Sequence, residues 1–344
     1  MEINHFIGVD VSKDTLDLSL VDQGTVVYHL RVFNTNQGIK SFIQEVKKKF
    51  DVDLSYTIFC MEHNGIYNNI LLSFLEKLNT NVWVESALQI KQSQGMLRGK
   101  NDKVDSGRIA MYAYRHHENF NPWNPPREII LQIKQLLVIR SRIIEAIKQL
   151  NTPIGKDAEL FFSKTHLKLS RKCCEASIRT MKKEAKAIEK QIKDLIQSDE
   201  SIYHLFKIIV SIDGIGLLVA ATLLVATNEF KNFSCAKKFA CYAGVVPFEH
   251  SSGTSIKRRP KVSHLANKTV KKMIHLAVLS GIRENGEFRD YYVRKKAEGK
   301  HVMSIINAIR NKLILRIFAC VRDDRFYEKK TSIFIWIKHR NPRQ

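Results

Sequence analysis

Asp10 closes a short apolar run, HFIGVDVS, and Glu62 lies just beyond another, YTIFCM, so two carboxylates can sit at neighbouring strand ends of one sheet. Asp102 and Asp105 follow three residues apart, which puts both on one face of a helix. Four hard oxygen donors gathered in this way suit one or two Mg²⁺ or Mn²⁺ ions, which polarise a phosphate and stabilise attacking and leaving oxygens. The competing reading is a set of solvated acids on strand and helix ends. A second group lies in PFEHSSGTSIKRRPKVSH, where Ser251 and Ser252 precede Lys257, Arg258, Arg259 and Lys261. A serine hydroxyl there could attack a phosphodiester while the cations neutralise it, although a Ser-Ser-Gly run after proline also reads as a plain turn in a basic loop. His250 adjoins the serines, but no Ser-His-Asp order accompanies it. Gly214-Ile215-Gly216 offers a third feature, a hairpin between helices whose backbone N–H groups can meet a phosphate without reading a base.

These groups need a frame. Residues 5–33 read as three strands in a meander, followed by an amphipathic helix at about 37–49, a strand at 56–61, a helix at about 66–78, the strand NVWVES and helical stretches to His117. Three strands followed by alternating helix and strand predict a mixed α/β domain of the ribonuclease-H type over 1–120. FNPWNPPRE breaks the chain at 120–128. Apolar residues at Ile129, Ile133, Leu136, Ile143, Ile147 and Leu150, and again at Ile178, Met181, Ala185, Ile188, Ile192 and Leu195, keep heptad spacing. With TPIGKD interrupting it and Arg140 on the seam, 126–200 is expected to be a helical coiled-coil arm, either dimerising or closed within one chain. A mainly α-helical domain with a helix-hairpin-helix should fill 201–330, its cationic helix opening with Asn267, Lys268, Lys271 and Lys272, and a basic tail follows at 331–344.

The charge points to a polyanionic partner. Of 344 residues, 56 are Lys or Arg and 34 Asp or Glu, a formal net charge of +22. The excess is uneven, because Ser251–Gln344 holds 23 Lys and Arg against 7 Asp and Glu, a net +16. With 44% hydrophobic side chains the chain can also bury two ordinary cores. Six cysteines show no CxxC pair or zinc spacing and read as reduced, mostly buried thiols. The opening MEINHFIGVD lacks a leader pattern, and the longest apolar run is too short for a bilayer, so a cytoplasmic protein is expected.

Taken in order, GVDVSKDTLDLSL, CMEHNGIY, GKNDKVDS, SIDGIGLLVAATLL, FACYAGVVPFEHSSG and NKTVKKMIHLA resemble the transposases of the insertion-sequence 110 family, over about residues 5–320. The resemblance implies a RuvC-like domain whose metal-binding acids are Asp10, Glu62, Asp102 and Asp105, and a catalytic serine before a glycine. That serine is Ser252, with Ser251 the alternative because the residue is doubled. It further implies a recombinase guided by a structured noncoding bridge RNA, pairing with double-stranded target and donor DNA and rejoining strands through a phosphoserine intermediate. Members build a composite active site in dimers to tetramers and act in the bacterial cytoplasm, on the nucleoid when bound to DNA. Two departures stand out: Asp105 is followed by Ser106 where the family often has alanine, and His264-Leu265-Ala266-Asn267 replaces a Lys-Arg-Gly-Asn pattern. The alternatives are a RuvC-type junction nuclease that uses metal-bound water, and a nucleic-acid scaffold without turnover.

Overall fold

The strand-forming residues of the opening segment build β1 (His5–Val11), β2 (Thr15–Asp22) and β3 (Thr25–Phe33), an antiparallel meander, in the computed structural model of the chain. The structure describes residues 3–93, 102–151, 163–233, 235–252, 256–262 and 266–328. The chain divides into two compact units, Met1–Pro125 and Pro126–Gln344. In the first unit β4 (Thr57–Glu62) pairs parallel to β1, and β5 (Asn81–Glu85) parallel to β4, giving a mixed five-stranded sheet in the order β3-β2-β1-β4-β5.

Both faces of the sheet centre are covered, which explains why β1 and β4 read as nearly unbroken apolar runs. Ile7, Val9, Val11, Phe59 and Met61 pack on one face with Ile39, Phe42 and Val46 of helix α1 (Asn36–Phe50) and Leu71 and Leu75 of α2 (Asn69–Lys77). Thr35 caps α1 by accepting from the Gly38 N–H at 3.1 Å. Phe6, Ile58 and Cys60 face the other way, against Ile109, Ala110 and Ala113 of α4 (Asp102–His116), which follows a short α3 (Ala87–Ser93). Gly8 makes this second packing possible. A Cβ placed on it would lie 2.1 Å from the Ala110 backbone nitrogen and 2.3 Å from the Ser106 carbonyl oxygen. Only a bare backbone lets helix and strand approach so closely.

The second unit is mostly helical. Helices α5 (Glu128–Asn151) and α6 (Lys164–Ser198) pack on each other, with Ile130, Ile133, Ile192 and Ile196 buried in the same core. Arg140, on the expected seam, pairs with Glu189 of the other helix at 2.7 Å, so its charge is met within the chain. Of the heptad positions, Ile133 and Ile147 are buried while Leu150 is exposed. TPIGKD lies outside the described residues, as does the tail 331–344. Beyond the arm come α7 (Glu200–Val210), the largely apolar and buried α8 (Leu217–Thr227), α9 (Ala236–Tyr242), α10 (Lys268–Gly281), α11 (Glu287–Ala297) and α12 (Val302–Arg322).

Three expectations need correction. Glu62 is the last residue of its strand rather than a residue beyond it. The serine-rich basic segment, read as a loop, contains two strands: β6 (Pro247–Ser252) pairs antiparallel with β7 (Ile256–Val262). Lys, Arg and Pro are weak strand formers, so nothing local announced a ladder whose backbone pairing decides the conformation. The cysteines are also less buried than expected: Cys60 and Cys320 are buried, but Cys173 and Cys235 are exposed, and all six are free thiols.

Arg127 locks the start of α5 to two other elements. It donates to Asp199, the N-cap of α7, at 2.7 Å and to Glu229, in the turn after α8, at 2.5 Å. The Glu229 side chain is only 4% exposed, and Asn228, Glu229 and Phe230 are all left-handed, a strained run held by this ion pair and by the turn's own backbone bonds. Arg127→Met leaves the buried Glu229 carboxylate with only Lys231, at 3.3 Å, and should lower unfolding free energy by about 2 kcal/mol in urea titrations. Gly8→Ala drives a methyl into α4 and should cost about 1–3 kcal/mol by the same measurement.

Candidate functional site

Val9 pairs with Met61 in the parallel β1–β4 ladder, so the next residues along the two strands, Asp10 and Glu62, are neighbours at one end of the sheet. Side chains alternate along a strand, and Val9 and Met61 occupy the α1 face; Asp10 and Glu62 therefore project on the α4 face. Two asparagines hold these strand ends. Asn64 Nδ2 donates to the Val11 carbonyl at 2.8 Å, and Asn68 Nδ2 donates to the Glu62 carbonyl at 2.7 Å. Asn68 also accepts from the Asn64 N–H at 3.0 Å, joining the two clamps.

The same face receives α4. Because Gly8 seats Ser106 and Ala110 against β1, the first turn of α4, with Asp102 and Asp105, starts beside Asp10. Burial and then the charges of Asp102, Asp105, Glu62 and Asp17 push the Asp10 carboxyl up to about 6. All four predicted acids thus share one electrostatic neighbourhood. They are not gathered as ligands: among the described residues, no three His, Cys, Asp or Glu side chains are grouped closely enough to hold a metal ion. Asp102 is turned to Arg31, at 2.6 Å, and Asp105 to Arg108, at 2.9 Å. In charge and donor type the set suits a hard divalent cation, which would offset the repulsion that raises Asp10.

A fifth acid escaped the sequence reading. Asp17 on β2 is the direct cross-strand partner of Asp10 and is nearly buried. Its carboxylate accepts from Arg31 Nε at 2.8 Å and lies 2.9 Å from His29 Nε2, both on β3. Arg31 therefore bridges Asp17 to Asp102, a link across β2, β3 and α4. The tight turn at 12–14 sets the register that places Asp17 opposite Asp10, but Arg31 and His29 carry no local mark. Ser106 is likewise accommodated: its buried hydroxyl lies 2.8 Å from that of Ser19 on β2, so the polar group replacing an alanine is satisfied.

The serines lie in the second unit. In the backbone register of the β6–β7 hairpin Ser251 pairs with Lys257 and Ser252 with Ile256 near the tip, His250 with Arg258, and Phe248 with Lys261. Arg259 also lies on β7. Asn267 caps α10, accepting from the Val270 N–H at 3.0 Å while donating to Tyr242 Oη at 2.6 Å. Lys268 and Lys272 are exposed on that helix and Lys271 is half-buried. Ala266, where the family pattern has glycine, meets Gly244: a Cβ on Gly244 would come within 2.1 Å of the Ala266 methyl, and Gly244 has a φ of +63°.

The two hairpin glycines differ. Gly214 has a φ of +83°, and a Cβ there would meet the Ala277 carbonyl oxygen of α10 at 2.2 Å, so glycine is required by packing. Around Gly216 the space is open, leaving the N-terminus of α8 uncovered at that residue.

Two family models match the chain. A DEDD transposase model of the IS110 type covers residues 7–156, and the model described as Transposase IS116/IS110/IS902 family covers residues 206–293. The first holds all four acids, and the second holds both serines. The pilin gene-inverting protein of Moraxella bovis is 25% identical over 94% of this chain and 98% of its own length. The insertion element IS110 uncharacterized 43.6 kDa protein of Streptomyces coelicolor is 30% identical over 45% of this chain and 37% of its own. The transposase for insertion sequence element IS1111A of Coxiella burnetii is 22% identical over 79% of this chain and 82% of its own. With the four acids inside one matched region and both serines inside the other, the chain belongs to the IS110 family of transposases, enzymes that cleave and rejoin DNA.

Proposed function

We propose that this transposase is an RNA-guided recombinase in which Ser252 is the nucleophile and Asp10, Glu62, Asp102 and Asp105 form a RuvC-like metal centre. One observation carries the reading: Asp10, half-buried at a strand end, is surrounded by the charges of the other three acids, an arrangement that costs stability unless a cation is bound. The sheet order β3-β2-β1-β4-β5, with Asp10 on the central strand, supports the RuvC-like comparison. The name of the Moraxella bovis relative describes the inversion of a gene, a reaction that both cuts and rejoins strands, and this favours recombination over simple hydrolysis.

Bound Mg²⁺ or Mn²⁺ would supply charge neutralisation at the scissile phosphate. Ser252 Oγ bonds to phosphorus as the phosphorus–sugar oxygen bond breaks; the serine hydroxyl loses its proton and the departing sugar oxygen gains one. Attack by a second DNA hydroxyl reverses these changes and restores the serine. The phosphodiester energy stays in the covalent link, so joining needs no nucleotide. A bridge RNA would select target and donor by base pairing, leaving the protein to hold backbones with Lys257, Arg258, Arg259, Lys261, Asn267, Lys268, Lys271, Lys272 and the backbone around Gly214 and Gly216. The arm, α5 and α6, keeps Val138 and Ile139 exposed, which favours its use in dimers and tetramers that complete a composite site. No described helix is long and apolar enough to cross a membrane.

Ser252→Ala should abolish a covalent protein–DNA adduct, read on denaturing gels, while leaving DNA binding within about twofold. Ser251→Ala should keep the adduct. An adduct that survives in the double variant, or cleavage with free ends in Ser252→Ala, would transfer the reaction to the water-using nuclease.

Metal binding should depend on pH through Asp10. Its carboxyl is raised to about 6, so below that value a metal must displace a proton, and above it the site is already ionised. Apparent Mn²⁺ affinity measured by calorimetry should fall by up to about tenfold per unit as pH drops below 6 and be flat above about 7. In the metal-free chain the sign for stability follows: folded Asp10 binds its proton more tightly than unfolded Asp10, so this residue's contribution declines as pH rises from about 4 to about 6. Asp10→Asn should remove both dependences.

A further inference from the structure

Arg310 is 7% exposed on α12, among Ile306, Ile309, Leu313 and Ile314, and it has no ion pair among the described residues. Nη2 donates to His275 Nδ1 on α10 at 2.7 Å, and Nε is buried without a partner. A buried guanidinium with only a neutral acceptor carries a desolvation penalty that a bound anion would offset. The imidazole does not supply the missing charge. Burial and the neighbouring Arg310 both lower the His275 pKa, favouring the neutral ring. Arginine is a donor only, so Nδ1 must be the accepting nitrogen and the ring proton resides on Nε2. The pair therefore presents N–H donors from both side chains and a net positive charge, with no acceptor of its own left over.

Its place in the fold gives the ligand. Asn307, one turn before Arg310 on α12, donates Nδ2 to the Val245 carbonyl at 2.8 Å, two residues before β6 begins. Lys271 lies one turn before His275 on α10. This part of the helical core thus supports the root of the hairpin that carries Ser251 and Ser252. Resting on the transposase reading above, we infer that Arg310 and His275 form a binding site for a backbone phosphate of DNA. Arg310 contributes charge and the planar guanidinium donors suited to phosphate oxygens, and His275 fixes the guanidinium while adding its Nε2–H.

The test uses the full-length chain as Ser252→Ala, so that only binding is read. Two quantities are measured: the thermal midpoint in inorganic phosphate against chloride at matched ionic strength, and the slope of log Kd for duplex DNA against log salt. The parent should melt higher in phosphate. Arg310→Met, of similar volume, should keep or raise the midpoint in chloride, lose the phosphate increment, and flatten the salt slope by about 0.9, the contribution of one phosphate contact. A phosphate increment with an unchanged DNA slope would make the pair a free-phosphate site and overturn the DNA assignment. Arg310→Met melting several degrees lower with increment and slope intact would make Arg310 a core residue and overturn the site. If that variant does not fold, His275→Gln takes its place, which keeps an acceptor for Arg310 but moves the donor; the phosphate increment should shrink, and an unchanged one overturns the proposal. Neither readout requires strand cleavage. A chain with Ser252 intact that binds DNA through Arg310 but never forms an adduct would remove the serine mechanism and leave this site standing.

Discussion

Gly8 has no side chain, and α4 occupies the space one would need, with the Ser106 carbonyl and the Ala110 nitrogen against the strand. The acidic neighbourhood depends on this backbone contact. It brings the first turn of a helix beside the end of a parallel strand pair, so that carboxylates distant in sequence repel one another. Burial raises the cost of that repulsion, and Asp10 responds by holding its proton more tightly. The surrounding structure consists largely of means to keep the arrangement in place: Asn64 and Asn68 hold the strand ends, Ser19 and Ser106 satisfy each other between sheet and helix, and Arg31 ties Asp102 to Asp17. Arg31 and Arg108 also offset part of the acidic charge, so ligation of a cation would require Asp102 and Asp105 to exchange arginine for metal.

The second unit solves a different problem. Its surface is strongly basic, yet its helices must still pack an apolar core, and they do so around α8, which is apolar on every side. Arginines at the edge of this core and the one inside it are compensated in unequal ways. Arg127 meets two carboxylates, and Arg316 meets Glu287 at 2.8 Å. Arg310 meets only an imidazole among the described residues. In a core otherwise attentive to pairing, that difference is what separates a binding residue from a structural one.

Departures from the family pattern are absorbed locally. Ser106 brings a hydroxyl into a buried position and finds Ser19 across the interface. Ala266 supplies a methyl that only a glycine at 244 can face. Asn267, retained, caps α10 and bonds Tyr242, so it also orients the cationic helix.

Much of the first unit was legible because its signals are local. Apolar runs marked β1, β4 and β5, alternation marked β2, and the step of three put Asp102 and Asp105 on one helical face. Charge asymmetry pointed to a polyanion, and ordered motifs pointed to the family. What remained hidden depends on pairing between distant segments. The β6–β7 hairpin arises from a backbone ladder that its Lys, Arg and Pro residues do not advertise. Asp17 and Arg31 become neighbours of the acids only through strand register, and His275 meets Arg310 only because α10 and α12 pack together. Periodicity reports which side of an element is buried; it does not report what stands on the other side, because that is decided by the packing of whole elements and not by neighbours in the chain.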